Sequence, residues 1–316
     1  MKKINLLIIT SLSVFLYNCG NTENLFSIAT KDLKQVYKPN ESINLSVENA
    51  ENASIDSVVY YSNNEKLGTA TNNKTLNFKL EKLQFGVQDI KAVVFYEGKN
   101  AECLTSFEIV SNITPKLYET KDYTILNTFK HDTTAYTQGL EFYKGILLEG
   151  TGQNGESTLR KTDYKTGKVS KSVPLSPDYF GEGITVFNGK IYQLTWKNKI
   201  GFIYNAETLV QEKTFNYFAD IEGWGLTHND KHLIMSDGTN KIYFLNPETQ
   251  KMERSINVYS DTNAIAELNE LEWIEGKIWA NIYQKNAVVI INPENGAVEA
   301  VINFSDLDAK IENKGK

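Results

Sequence analysis

The chain has 316 residues, with 33 Lys and Arg against 39 Asp and Glu, 17 Tyr and four Trp, but only three His and two Cys. The net charge of −6 disfavours a nucleic-acid protein, which carries basic patches, and the few His and Cys leave little for a His-rich or Cys-rich metal centre. A hydrophobic share of 41% with 23% charged residues describes a folded protein of one or two domains rather than a disordered one. Its chemistry is left to carboxylates, amides and aromatics.

The N-terminus reads as a targeting signal. Met1-Lys2-Lys3 is a short positive region, and the apolar run Ile4 to Leu16 is shorter than the ~20 residues that span a bilayer but suits the core of a signal peptide. Leu16-Tyr17-Asn18-Cys19-Gly20 resembles a bacterial lipobox. Residues 1–18 are then a lipoprotein signal peptide and Cys19 the lipidated first residue. The expected location is the bacterial cell envelope, periplasmic or surface-facing, anchored to the membrane through the lipid. Asn18 departs from the preferred Gly or Ala, so an ordinary signal peptide with an incidental Cys is the alternative. No other apolar run reaches spanning length. With Cys19 lipidated, Cys103 has no disulfide partner, and in the alternating stretch Glu102–Ile109 it reads as a buried structural thiol.

From about Leu25 to Pro115 short alternating stretches, such as Ile43–Val47, Leu76–Leu80 and Ile90–Tyr96, are separated by Asn- and Gly-rich gaps. They predict an immunoglobulin-like antiparallel β-sandwich. Residues 19–115, tether included, form this module, and it holds no catalytic constellation. It reads as a spacer or docking module, with Ser111–Pro115 as the linker.

Residues 116–316 contain a repeat. Gly139-Leu140-Glu141, Gly183-Ile184-Thr185, Gly225-Leu226-Thr227 and Glu270-Leu271-Glu272 begin four similar units, 44, 42 and 45 residues apart. Late in each unit Asp163, Asn205, Asn246 and Asn292 open a polar turn. Periods of ~40–45 residues with about four strands per unit mark β-propeller blades. The residue before each repeat start then lies at the mouth of the central channel. Those residues are Gln138, Glu182, Trp224 and Asn269, and polar and aromatic groups converging from separate blades favour a ligand site.

Tyr136-Thr137-Gln138-Gly139-Leu140, Phe180-Gly181-Glu182-Gly183, Gln193-Leu194-Thr195-Trp196, Glu222-Gly223-Trp224-Gly225, Ser236-Asp237-Gly238, Leu268-Asn269-Glu270 and Ile278-Trp279-Ala280-Asn281 together resemble the plant-type glutaminyl-peptide cyclotransferases. The resemblance runs from about Tyr123 to Leu307. It implies an all-β five-bladed β-propeller, an acyltransferase that converts the N-terminal Gln of peptides or proteins to pyroglutamate with release of ammonia. It also implies no catalytic zinc and no cofactor. Phe180, Glu182, Trp196, Gln138 and Asn269 fall on the family's active-site positions, and Trp224 in its Glu-Gly-Trp-Gly motif. Glu182 suits general acid/base work, Asn269 and Gln138 are amide donors for the tetrahedral intermediate, and Tyr136, Phe180, Trp196 and Trp224 wall the pocket. Tyr283 stands where the family usually has Trp.

The C-terminus departs from that pattern. Further strands, with a Gly-Lys-aromatic-Trp motif whose Lys contributes to the site, follow in the family, whereas Asp308–Lys316 is tail-like. From Tyr123 to Lys316 there are 194 residues, while five blades of ~43 need ~215. The fifth blade is therefore expected to be incomplete, holding a strand around Tyr123–Thr128. The alternative function is a catalytically inactive, C-terminally truncated propeller lipoprotein acting as a peptide-binding module. His228 and His232 lie in a blade turn rather than on a metal-binding helix. Asp237-Gly238 and Asn295-Gly296 read as hairpin turns. Glu222 and Glu272 are either second channel carboxylates or structural acids.

Overall fold

The computed structural model describes residues 25–308. Cys19 and the signal segment lie outside them, as does the tail 309–316. The described chain is built of strands, with short helical turns only at Leu80–Lys82, Thr120–Asp122 and Ser305–Asp308. No helix in it is long and apolar enough to cross a membrane.

Two compact units interleave along the sequence. One holds residues 25–32, 44–76 and 90–105, the other 33–43, 77–89 and 106–308. In the first unit Phe26–Ile28 pairs antiparallel with Val47–Asn49, and Ile55–Ser62 pairs with Glu65–Thr71 and with residues 90–96. Alternation turns Val58, Tyr60, Ile90, Ala92 and Val94 inward, all with no exposed surface. Burial pushes the half-buried Cys103 thiol up to about 11, so it stays protonated and unreactive at neutral pH.

The second unit carries the repeat. Each repeat is an antiparallel sheet whose strands follow one another from the channel outward. Blade one is Thr137–Tyr143, Ile146–Thr151, Thr158–Asp163 and Lys168–Pro174. Blade two is Gly181–Phe187, Lys190–Thr195, Ile200–Asn205 and Gln211–Asn216. Blade three is Leu226–His228, Leu233–Ser236, Lys241–Leu245 and Met252–Asn257, and blade four is Leu268–Ile274, Lys277–Ile282, Ala287–Ile291 and Val298–Asn303. A short fifth strand, Lys116–Tyr118, runs parallel to the outer edge of blade four, with Leu117 opposite Val301.

The recurrent Asp/Asn of the sequence has one structural role in all four blades. The side-chain oxygens of Asp163, Asn205, Asn246 and Asn292 each accept backbone N–H bonds from the turn that follows, at 2.9–3.1 Å. These Asx turns join the third strand to the fourth.

Blades stack through apolar faces. Leu148, Leu159, Ile184, Ile191 and Phe202 form the core between blades one and two. Leu194, Ile203, Leu226, Leu233 and Met235 lie between two and three, and Ile234, Phe244, Leu268, Ile278 and Val289 between three and four. Four blades thus share three cores among the described residues. Outside these cores, Leu140 and Phe142 of blade one and Ile274 of blade four keep 40%, 57% and 41% of their surface exposed among the described residues.

No strand of a fifth blade forms among the described residues. The strand expected around 123–128 is absent: residues 123–136 are irregular, and Leu126 is 86% exposed. Alternating apolar residues make a strand only where a neighbour pairs their backbone, and here none does. The segment is instead a strap. Tyr123 packs on Phe304 of the blade-four edge, ring centroids 5.2 Å apart, while Phe129 packs on Tyr164 at 5.2 Å and Asp132 pairs with Arg160 at 2.9 Å on blade one.

This inventory of cores predicts unequal tolerance on the two faces of blade one. Leu148→Ala, in a filled core, is expected to cost ~2–5 kcal/mol, whereas Phe142→Ala, more than half exposed with one edge-on contact to Tyr164, is expected to cost about 1 kcal/mol. Urea denaturation measures both, and equal losses would show that the Phe142 face is covered in solution.

Candidate active site

Glu182, Gln138 and Asn269 owe their placement to irregularities in the sheets. The register between the two innermost strands slips between Thr137 and Gly139, between Gly181 and Ile184, and between Leu268 and Leu271. Each slip is a β-bulge, which bends the strand and re-aims the extra side chain. Gln138, Glu182 and Asn269 each sit inside one of these bulges. Blade three differs: its inner strand begins only at Leu226, and Trp224 upstream is held by its N–H to Ser236 O at 3.2 Å and by Gly183 N–H donating to its carbonyl at 2.9 Å.

An arc of aromatic rings runs round the mouth. Tyr136 meets Phe180 edge-on at 6.1 Å, Phe180 meets Trp196 at 5.5 Å, and Trp224 meets Tyr283 at 5.4 Å. The two halves are joined by Glu222, whose Oε2 accepts the indole N–H of Trp196 at 2.7 Å and of Trp224 at 3.0 Å. One carboxylate thereby fixes two ring planes through charge-assisted bonds. Gln138 and Phe180 both crowd the space above Gly152. Ser236 Oγ donates to Asn269 O at 2.7 Å and accepts Gly225 N–H at 2.8 Å, tying blade four to blade three.

Glu182 is 7% exposed. Burial first, and the facing charge of Glu222 second, push its pKa up to about 9, since a desolvated carboxylate beside another negative charge holds its proton. Its bonds to the two indoles make Glu222 the hydrogen-bonded structural acid of the two readings open for it.

Directly beneath lies Glu270. At its place in the repeat the other three blades have Gly139, Gly183 and Gly225. The Glu270 side chain fills the room they leave: a Cβ on Gly183 would collide with Oε1, one on Gly139 would lie 3.1 Å from Oε2, and Leu226 N–H donates to Oε1 at 3.3 Å. Burial, reinforced by the charges of Glu182, Glu272 and Glu141, holds the Glu270 carboxyl well above the usual range, against the opposing Leu226 bond. Lower in the channel Glu141 is pushed up to about 7 by burial and by Glu272, and accepts Thr185 Oγ1 at 3.1 Å. Burial also raises Glu272.

Glu270 and Glu141 escaped the sequence reading as individual groups. The signal for Glu270 was present as a lone Glu in a column of glycines. Gln193 escaped as well: it is fully buried, and neither atom of its amide has a hydrogen-bond partner among the described residues. His228 Nδ1 bonds Thr185 Oγ1 at 2.8 Å and His232 Nε2 bonds Glu253 at 3.0 Å, so the two rings serve different contacts. Asp237-Gly238 and Asn295-Gly296 lie in hairpin turns.

A β-propeller with a buried, proton-retaining carboxyl beside an arc of aromatic rings is the class of protein defined here. The chain belongs to the glutamine cyclotransferase family, whose model matches residues 100–316. It is similar to the glutaminyl-peptide cyclotransferase of Arabidopsis thaliana, 36% identical over 193 residues, 60% of this chain and 60% of that protein. The chain thus spans about 60% of the length of this curated relative. It is also similar to the crystal structure of Myxococcus xanthus glutaminyl cyclase, with a TM-score of 0.58 and 29% identity, covering 64% of this chain and 84% of that one.

The raised proton affinity of Glu182 has a consequence for stability. The folded state keeps a proton that the unfolded chain releases above its ordinary carboxyl pKa near 4.5, so folding binds protons between that value and about 9. Stability must therefore fall as pH rises through this window. Thermal melts at pH 5.5 and 8.5 should show the wild type losing more than Glu182→Gln, which carries no titrating group there. A parallel pH dependence in the two proteins would contradict the assignment.

Proposed function

We propose that the protein is a glutaminyl-peptide cyclotransferase that closes the N-terminal Gln of peptides or proteins into pyroglutamate, with Glu182 as general acid/base. The observation that carries this reading is Glu182 itself, a buried, proton-retaining carboxyl inside an aromatic arc. In the reaction the α-nitrogen attacks the side-chain amide carbon. A C–N bond forms to the ring nitrogen, and the bond to the amide nitrogen breaks. From the neutral α-amine one proton leaves the α-nitrogen and one arrives on the departing ammonia, so a single carboxyl can carry both transfers; an incoming α-ammonium first gives up one further proton, which the released ammonia takes up as ammonium. Because attack is intramolecular, holding the chain folded back on itself supplies much of the rate.

The ammonium of the incoming peptide favours the ionised form of Glu182, readying it as base. The Asn269 and Gln138 amides are assigned to the developing oxyanion and the substrate amide. Tyr136, Phe180, Trp196, Trp224 and Tyr283 are assigned to walling the substrate. The proposed chemistry is proton transfer by a carboxyl, and it calls on no zinc and no cofactor.

The test is ammonia release from a Gln-peptide by the purified protein. Glu182→Gln is expected to lose at least ~100-fold in kcat while retaining its melting profile at pH 5.5, and equal activity would overturn the role of Glu182. Binding of the peptide without turnover by the wild type would favour the second reading, a peptide-binding module. That reading is favoured by the exposed apolar side chains of Leu140 and Phe142 among the described residues.

We further propose that Cys19 is lipidated and tethers the protein in the bacterial cell envelope. Cys19→Ala should move the protein from the membrane to the soluble fraction on cell fractionation.

A further inference from the structure

Tyr217 directly follows the outer strand of blade two, Gln211–Asn216, and its N–H donates to Lys199 O at 2.9 Å. Its ring packs against the core between blades two and three. Its hydroxyl does something else. The ladder between the second and third strands of blade two ends with Leu194 opposite Gly201. One residue beyond, Tyr217 Oη accepts the Thr195 N–H at 2.8 Å and donates to Thr195 O at 2.7 Å. A single hydroxyl thereby satisfies both backbone groups of one residue, which a neighbouring strand does elsewhere in the sheet.

The same oxygen abuts Gly223, where a Cβ would collide with it and lie 2.7 Å from Thr195 O. Burial pushes the Tyr217 phenol up; the two bonds to Thr195 oppose this, and the charge of Glu182 adds to it. The phenol therefore keeps its proton and can donate at neutral pH.

The two segments meeting at this hydroxyl carry the wall of the site. Trp196 follows Thr195, and Gly223 separates Glu222 from Trp224. Gly223 N–H donates to Trp196 O at 3.0 Å, and Trp196 N–H to Phe180 O at 3.1 Å. Glu222 Oε2 reaches both indoles, at 2.7 and 3.0 Å, and one oxygen can do so only while the segments keep their relative position.

We propose that Tyr217 is a positioning residue of the site: its hydroxyl fixes the Thr195–Trp196 and Glu222–Trp224 segments against each other and so holds the indole wall on which the substrate's N-terminal Gln lies. The proposal rests on the cyclotransferase reading for the substrate, and on the bonds above for the hold itself.

Tyr217→Phe keeps the ring and removes the oxygen. With the amidated peptide Gln-Phe-Ala, ammonia release should show KM raised about tenfold with kcat within about threefold of the wild type. Tryptophan emission of the free variant should move to longer wavelength, and this shift should be absent when Trp196 and Trp224 are both replaced by Phe. Leu245→Ala is the control for stability alone. Leu245 lies in the same core, opposite Leu233 at the end of its strand away from Ser236, so its loss should lower the melting temperature while KM stays within about threefold. Unchanged KM and emission in Tyr217→Phe, or an equal rise of KM in Leu245→Ala, would overturn the proposal. Should Tyr217→Phe not fold, Gly223→Ala, which presses a methyl against the hydroxyl, should give the same KM rise and emission shift, and wild-type values there would overturn it too. If the wild type releases no ammonia, the cyclotransferase reading fails, and the emission shift by itself decides whether Tyr217 holds the indoles.

Discussion

The convergence of four inner strands on the Glu270 carboxyl is the contact on which the rest of the propeller depends. Blades are wedges, and their innermost strands must come close together without leaving a void or a clash. Three blades contribute a glycine at this level; the Glu270 side chain fills the space at Gly139 and Gly183, while Gly225 lies against the backbone of Asn269 and Glu270. The bond from Leu226 N–H to Glu270 stitches blade four to blade three, and the fit against Gly183 and Gly139 brings in blades two and one. A charge so placed would be costly to bury. Crowding by three further carboxyls favours the neutral acid, which packs as a polar but uncharged plug.

That plug sets the electrostatics above it. Glu182 sits over a low-dielectric floor and faces Glu222, so its proton is held tightly without any hydrogen-bond donor being assigned to hold it. Glu222 has two roles in the same place: it accepts both indole N–H groups and thereby sets the wall, and its charge adds to the proton affinity of Glu182. Wall geometry and acid strength are thus coupled through one residue.

Much of the architecture was legible because propeller physics repeats. The period near 43 residues, the type of each strand and the Asx residues at Asp163, Asn205, Asn246 and Asn292 follow from local rules that act alike in each blade. The positions of Gln138, Glu182 and Asn269 just before the repeat start coincide with the bulges of three inner strands. Glu270 and Gln193 were not singled out, because their importance lies in what faces them from other blades. The strand expected at 123–128 failed for the same kind of reason, as alternation there met no partner edge.

By itself the sequence determined the all-β class, the blade repeat and the family, because strand alternation, turn chemistry and motif spacing are properties of neighbours along the chain. Only the tertiary structure decided that bulges turn Gln138, Glu182 and Asn269 out of their ladders, that Glu222 bridges two indoles, and that Glu182 keeps its proton. It also decided that residues 123–136 run as an irregular strap rather than a strand. Proton affinity and open volume depend on what approaches a residue through space, and in a ring of blades those neighbours come from segments forty or more residues away.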